Sequence, residues 1–426
     1  MLKPSTPKAD PAPPGSRQAP HTARPLTILY HHRTAAADGQ RVHIDAIIES
    51  LRAAGHKVVV AAPRLSAAKA EGPPGPLNRL LGTLRRRAPG WVGEILELAY
   101  NLPAAWRLWR LWRRHRPDIL YERYNLFLLA GTWLARRKRL PLLMEINAPL
   151  ADERAAHGGL SLRGLARRLE QQTWRRASHC LPVSTPLAER VRAAGVAEQR
   201  ITTIPNGTDA DLFHPASHPS PVRRALGLQD ALVIGLAGYI RPWHGLDRLI
   251  RLLTDPAMPD HAHLLVVGDG PAIPAARQLA EKLGVSPRLT VTGVQPRSAM
   301  PDYVRAFDIA AQPTVLPYAS PLKLMEYMAA GLAIVEPDQA NIRDVLRHES
   351  TALLFPPDHM KSFDLAVLRL AADANLRRSL GMAARAHLLT AGFTWRDNGA
   401  RIARLAEQAM RVQAPQGTPP RNESQA

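Results

Sequence analysis

Short apolar runs alternate with stretches in which apolar residues return every three or four positions. The alternation runs from residue 26 to residue 412. Leu26 to His31 reads as a strand. Arg41 to Ala54 follows with helical spacing at Ile44, Ile47, Ile48 and Leu51, then Gly55 as a stop and the strand Lys57 to Ala62. Strand, helix, strand is the repeating unit of a parallel sheet. Further runs at Asp118 to Tyr121, Pro141 to Ile146, His179 to Ser184 and Ile201 to Ile204 extend that sheet. A second series holds Leu232 to Ala237, His263 to Val267, Leu289 to Thr292, Asp308 to Gln312, Leu332 to Val335 and Ala352 to Phe355. Asn206-Gly207 and the segment Asp209 to Pro221 read as the linker between them. The pattern predicts two doubly wound α/β domains, 25–207 and 208–394. Ligands of such sheets lie beyond the carboxyl ends of the strands, so two facing edges make a cleft for two substrates.

Composition narrows this picture. The chain has 426 residues, too many for one compact core. The termini, 1–24 and 413–426, are rich in Pro and small polar residues and read as disordered tails. The first residues lack the apolar core of a signal peptide, and no run reaches the ~20 apolar residues of a membrane span. A single cysteine, Cys180, excludes an intrachain disulfide. These features predict a cytoplasmic protein, soluble or bound to a membrane face. The net charge of +20 points to an anionic partner, and a solubility effect in an Arg-rich proteome accounts for part of the excess.

Three stretches carry chemistry. Leu232 to Gly238 is an apolar strand ending in glycine, followed by Tyr239-Ile240-Arg241-Pro242-Trp243-His244-Gly245. Strand, Gly-bounded cationic loop and helix start together can hold a phosphate; a plain surface turn has the same appearance. Val266 to Pro271 ends the next strand in Gly268-Asp269-Gly270 and lacks the spacing of a dinucleotide fingerprint. In Ser320 to Gly331, Ser320-Pro321 marks a helix start with proline in the first turn. Lys323 and Glu326 then fall one turn apart on one face. The cation suits phosphate and the carboxylate suits ribose hydroxyls. A surface Lys–Glu pair, worth ~0.5 kcal/mol, would look alike.

Taken in order, these motifs resemble glycosyltransferase family 4, the retaining enzymes of the GT-B fold. They join Asp38-Gly39-Gln40, Val183-Ser184, Ile204-Pro205-Asn206-Gly207-Thr208-Asp209, Gly293-Val294 and Phe393-Thr394-Trp395. Trp243-His244-Gly245, Ser320-Pro321-Leu322-Lys323 and Glu145-Ile146-Asn147-Ala148-Pro149 resemble the bacterial branch that builds polysaccharides and glycolipids. The resemblance implies a nucleotide-diphosphate sugar as donor, either UDP- or GDP-linked, and a glycan or polyprenyl-lipid acceptor. It implies a metal-independent reaction and a final helix, 395–412, crossing back to complete the first domain. Gly39, Gly238, His244, Gly268, Gly293, Val294, Tyr318, Ser320, Pro321, Leu322 and Glu326 then fall on the donor, with Gly293 and Val294 at the base. Arg241, Lys323, Asn147 and Glu145 are the residues expected nearest the reaction. Three positions depart from the family pattern: Tyr239 and His244 replace cations, and Tyr318 replaces a glutamate that usually touches the transferred sugar. Those departures keep open an alternative, a non-catalytic sugar-binding subunit.

One segment stands outside the motifs. Residues 77–116 hold nine arginines against two glutamates, and four of the eight tryptophans. Trp106, Trp109 and Trp112 recur with arginines between them. Such a helix can lie in the headgroup layer of an anionic membrane, here the inner face of the cytoplasmic membrane; it can equally bury its tryptophans in a core. No nucleic-acid motif accompanies the charge, so nucleic acid is not expected as a partner. His31, His32 and Arg33 end the first strand beside the expected cleft, and Cys180 reads as a buried thiol.

Overall fold

The computed structural model describes residues 24–34, 39–63, 90–156, 158–215 and 220–413. The two tails short of these limits, Asp38, 77–89 and linker residues 216–219 lie outside the described residues. Helices of seven or more residues are numbered in chain order.

The first lobe is a five-stranded parallel sheet of order β2-β1-β3-β4-β5. Its strands are β1 (Thr27–His31), β2 (Lys57–Ala61), β3 (Ile119–Arg123), β4 (Leu142–Ile146) and β5 (His179–Pro182). Around it lie α1 (Gly39–Ala53), α2 (Gly90–Ala99), α3 (Asn101–His115), α4 (Ala130–Lys138), α5 (Leu150–Ala156), α6 (Arg163–Arg176) and α7 (Thr185–Ala193). Every residue of β3 and β4 is buried, as a strand covered on both faces requires. Ile201 to Ile204 forms no strand: Ile201 makes one bridge to Cys180, and the chain then leaves the sheet.

The second lobe is a six-stranded parallel sheet of order β11-β10-β9-β6-β7-β8. These strands are β6 (Leu232–Ala237), β7 (Ala262–Val267), β8 (Leu289–Val291), β9 (Ile309–Ala311), β10 (Ala333–Pro337) and β11 (Leu353–Phe355). Its numbered helices are α8 (Leu246–Leu252), α9 (Ile273–Lys282), α10 (Leu322–Ala329), α11 (Met360–Ala372) and α12 (Ala374–Ala391). Then α13 (Trp395–Gln413) returns to the first lobe and packs along α1. Its Trp395, Ile402 and Ala406 share a buried cluster with Ile44, Ile47 and Leu51. Gly399 lies so close to Ser50 that a Cβ there would stand 2.7 Å from the hydroxyl.

In both sheets the strand order reverses beside the first strand, between β1 and β3 and between β6 and β9. Crevices open at such points because neighbouring connections leave in opposite directions. The lobes are joined around them by polar contacts. Ser184 Oγ donates to the Tyr318 carbonyl at 2.7 Å and Asn206 N–H to Ser320 Oγ at 2.9 Å, while Asn398 Nδ2 donates to the Pro205 carbonyl at 2.8 Å and holds α13 on the first lobe.

Candidate functional site

Between the lobes lies a cavity of about 520 Å³. The first lobe supplies Gly39 and His43 from the start of α1, Arg123 from the end of β3, and Asn147 after β4. The second supplies Tyr239 and Arg241 after β6, and Ser320 and Leu322 at the entry to α10. Both chain reversals therefore open into one space.

Glu145 organises the first wall. It is the penultimate residue of β4, only 3 % exposed, and does not line the cavity itself. Tyr121 donates to its Oε2 at 2.7 Å, and Asn147 Nδ2 to its Oε1 at 2.5 Å. Arg123 pairs with the same oxygen, and His43 Nε2 lies 3.0 Å from it. Burial alone would raise this carboxyl's pKa, but His43, Arg123 and Asn147 outweigh it and hold Glu145 well below the ordinary carboxylate range. The expectation that Glu145 meets the reaction directly is thus corrected. It orients Asn147, Arg123 and His43, which do face the cavity. Behind this wall His31 is sealed against Glu122, Nδ1 to Oε2 2.5 Å, and His32 is 2 % exposed. Neither lines the cavity.

The second wall carries Arg241, and further titratable groups lie behind it rather than in the cavity lining. Gly238 has φ +118°, open to glycine alone, and a Cβ there would stand 3.5 Å from Lys323 Nζ. The chain turn after β6 and the ammonium of α10 therefore meet at one point. Burial lowers Lys323 to about 8, against the opposing pull of Glu336 and Glu326. Gly268, at the end of β7, has φ +141°, and its missing side chain admits the Gly238 carbonyl. The Arg241 guanidinium lies 5.5 Å from the Tyr239 ring centre and 5.1 Å from that of Trp243. Burial first, then Lys323 and Arg241, pushes His244 down to about 4. Its Nδ1 accepts the Arg241 backbone N–H at 3.2 Å, so the neutral ring carries its proton on Nε2. His244 is a hydrogen-bond donor, not a second cation.

One turn along α10, burial raises Glu326 to about 7, with Arg297 and Lys323 opposing. Gly293 bridges Gly268 across the ends of β7 and β8, and Val294 beside it is 79 % exposed. Two expectations at this wall change. Ser320-Pro321 does lead into the helix, but Pro321 is its N-cap rather than a first-turn residue, and Ser320 Oγ accepts the Asn206 N–H instead of capping. Tyr318 does not line the cavity: it packs against the first lobe's core, and burial and a hydrogen bond to Glu153 raise its phenol to about 12.

The chain also contains an Asp-x-Asp pair, Asp209-Ala210-Asp211. Asp209 Oδ1 accepts the N–H groups of Asp211 and Leu212, each at 3.0 Å, so the pair forms a turn outside the cavity. No group of three or more His, Cys, Asp or Glu able to hold a metal occurs among the described residues. Sequence reasoning missed His43, Arg123 and Glu336. Arg123 had a legible signal, an arginine at the carboxyl end of a strand; His43 and Glu336 sit inside apolar periodicities that mask them.

Two doubly wound parallel-sheet lobes facing across a cavity at their strand ends are the architecture of a GT-B glycosyltransferase. Residues 37–212 match the family model described as Glycosyltransferase Family 4, and residues 231–373 that described as Glycosyl transferases group 1. The chain belongs to glycosyltransferase family 4 and is a nucleotide-sugar-using enzyme. It is 27% identical over 299 residues to a D-inositol 3-phosphate glycosyltransferase of Kribbella flavida, covering 65% of this chain and 68% of that one. It is 25% identical over 315 residues to a GDP-mannose-dependent alpha-mannosyltransferase of Mycobacterium tuberculosis, covering 73% and 78%. The fold matches Anabaena HepE in complex with UDP-glucose, with a TM-score of 0.66, 20% identity and coverage of 90% and 100%.

Proposed function

We propose that the enzyme transfers its glycosyl group with retention of configuration, by displacement on one face of the sugar. The observation that carries this reading is the meeting of Lys323 Nζ with the Gly238 turn, beside Arg241 and the Nε2–H of His244. A diphosphate seated there is neutralised as it departs. The bond between the anomeric carbon and the phosphate oxygen breaks, the acceptor oxygen bonds the same face, and the acceptor proton passes to the departing phosphate. Preorganised charge of this kind is worth most in a water-poor site. Glu326 accepts from the ribose hydroxyls, and Gly293 with Val294 borders the base. Protein cations supply the charge a metal would otherwise bring, so turnover should persist in chelator. Arg123, His43 and Asn147, fixed by Glu145, orient the acceptor.

The acceptor in this proposal is a glycan or a lipid-linked molecule, presented at a membrane face. No helix among the described residues is long and apolar enough to cross a membrane. Yet α2 and α3 carry a continuous outward stripe: Trp91 50 %, Ile95 45 %, Leu102 76 % and Trp106 58 % exposed. Tyr100 between the helices keeps helical backbone, so the stripe holds its period. Asn101 Oδ1 accepts the N–H groups of Leu129 and Ala130 at the start of α4, which puts the apolar half at the cleft end of the sheet.

The experiment is isothermal titration with UDP and GDP, followed by product analysis with the better ligand's sugars and anomeric assignment by NMR. Glu326→Ala should weaken nucleotide binding by ~1–3 kcal/mol. Inverted product, or undiminished nucleotide binding by both Glu326→Ala and Lys323→Ala, would overturn the reading.

A further inference from the structure

Away from the cleft, α4 and the C-terminal end of α6 enclose a groove of about 460 Å³. Leu129, Thr132 and Trp133 form its wall, and Arg136, Arg137 and Arg176 its rim. A smaller hollow of about 240 Å³ continues it and shares Arg136 and Arg176, adding Arg139 and Ser178. All four guanidiniums are exposed, and none makes a hydrogen bond or ion pair among the described residues. Among other arginines of this lobe, Arg154, Arg167, Arg190 and Arg192 are each held by a carboxylate, while Arg168 is exposed and unpaired like these four. Trp133 stands 50 % exposed in the same groove.

Basic residues at the ends of α4 and α6 complement the helix dipoles. That explains their sign, but not an aromatic wall left half in water beside unpaired arginines. The pairing of an apolar slot with a guanidinium rim fits a molecule that is anionic at one end and apolar at the other. The groove also lies in the helix layer that bears the apolar stripe. Helices α3 and α4 pack side by side, with Lys138 Nζ 4.0 Å from the Trp112 ring centre. Their C-terminal ends therefore align, and the exposed Arg110, Arg113 and Arg114 of α3 extend the band formed by Arg136, Arg137 and Arg139. Apolar residues occupy the cleft half of this face and arginines the far half.

We infer that the groove between α4 and α6 seats the anionic headgroup of a bilayer phospholipid, with Arg136, Arg137 and Arg176 on the phosphate and Trp133 at the glycerol level. The inference rests on the bilayer contact proposed above, and adds to it a defined headgroup site remote from catalysis. Interfacial tryptophan beside arginine is the residue pairing that the headgroup layer favours.

The test is flotation of the full chain with phosphatidylcholine vesicles, with and without phosphatidylglycerol. Arg137→Gln/Arg176→Gln should lose roughly thirtyfold of the affinity for phosphatidylglycerol vesicles, from two phosphate-facing charges. Its binding to neutral vesicles should be unchanged. A control with the same charge loss on the other lobe, Arg251→Gln/Arg277→Gln, should lose no more than a few-fold. Equal losses in the two double variants would overturn the groove and leave only diffuse charge. A thermal shift produced by soluble glycerol phosphate in the parent chain, and absent from Arg137→Gln/Arg176→Gln, would assign the groove to a free phosphate and overturn the lipid. Trp106→Glu reports on the bilayer reading separately. If it floats as the parent does, that reading fails and the headgroup site fails with it; if it alone loses binding, the reading holds and the groove is refuted.

Discussion

Lys323 is half-buried and Glu145 buried, and their surroundings give the two charges opposite tasks. Lys323 has carboxylates within electrostatic range, yet no ion pair among the described residues, so its charge is available to a ligand. Lys323→Met should lower kcat by ~10²–10³, the usual effect of losing one donor to a developing anion. The melting temperature should stay near that of the parent. Glu145 has its partners already. Glu145→Ala leaves Arg123 buried without a counter-charge and should cost about 3 kcal/mol or more, read from the first lobe's urea transition. His32 gives a pH signature. Burial first, then His31, Arg41 and Arg123, lowers its pKa to about 4, against the ordinary imidazole value of about 6.5. The unfolded chain therefore takes up a proton before the folded one as the pH falls. The stability is fully present above about 6.5 and is lost as the pH falls towards about 4. His32→Gln should flatten that part of the stability profile, measured by thermal melts across the range.

At the scale of elements, α3 shows how far a periodic pattern can be read. Its sequence offers three tryptophans with arginines between them. The fold separates their roles: Trp106 is exposed, while Trp112 packs against the core that holds Ala104 and Leu108. Each tryptophan carries a cation over its ring, Arg110 on Trp106 at 4.6 Å, Arg113 on Trp109 at 4.9 Å and Arg116 on Trp112 at 4.4 Å. Leu108→Ala should therefore cost ~2–4 kcal/mol by opening a cavity. Trp106→Ala should stay within ~0.5 kcal/mol of the parent while weakening vesicle binding. Comparing urea midpoints with flotation separates the two residues.

The whole molecule depends on a return of the chain. Helix α13 starts in the second lobe's sequence and covers α1 of the first, and the buried Asn398 fixes it to the Pro205 carbonyl. Asn398→Ala should cost ~1–3 kcal/mol by leaving that carbonyl unpaired. Truncation before Trp395 should expose Ile44, Ile47 and Leu51 and drive aggregation, measured by light scattering. Tyr318 works at this scale too. It stands where the family usually places a sugar-binding glutamate, and here it is spent on Glu153 and Ser184 of the opposite lobe. The joint between the lobes occupies a position expected to touch the donor.

The alternation of apolar runs determined by itself that the chain would form two parallel sheets, because period and residue type decide locally which backbone form buries an apolar face. The ordered glycines and Lys323 with Glu326 were likewise legible, since turn geometry and one-turn spacing are properties of a short segment. What tertiary structure alone decided is the fate of charge and direction. Burial makes His244 a neutral donor, withdraws Glu145 behind the wall it organises, turns Tyr318 into the opposite lobe and leaves Trp106 outside. Each outcome depends on desolvation by residues distant in sequence, and desolvation is a property of the assembled interior that no local pattern contains.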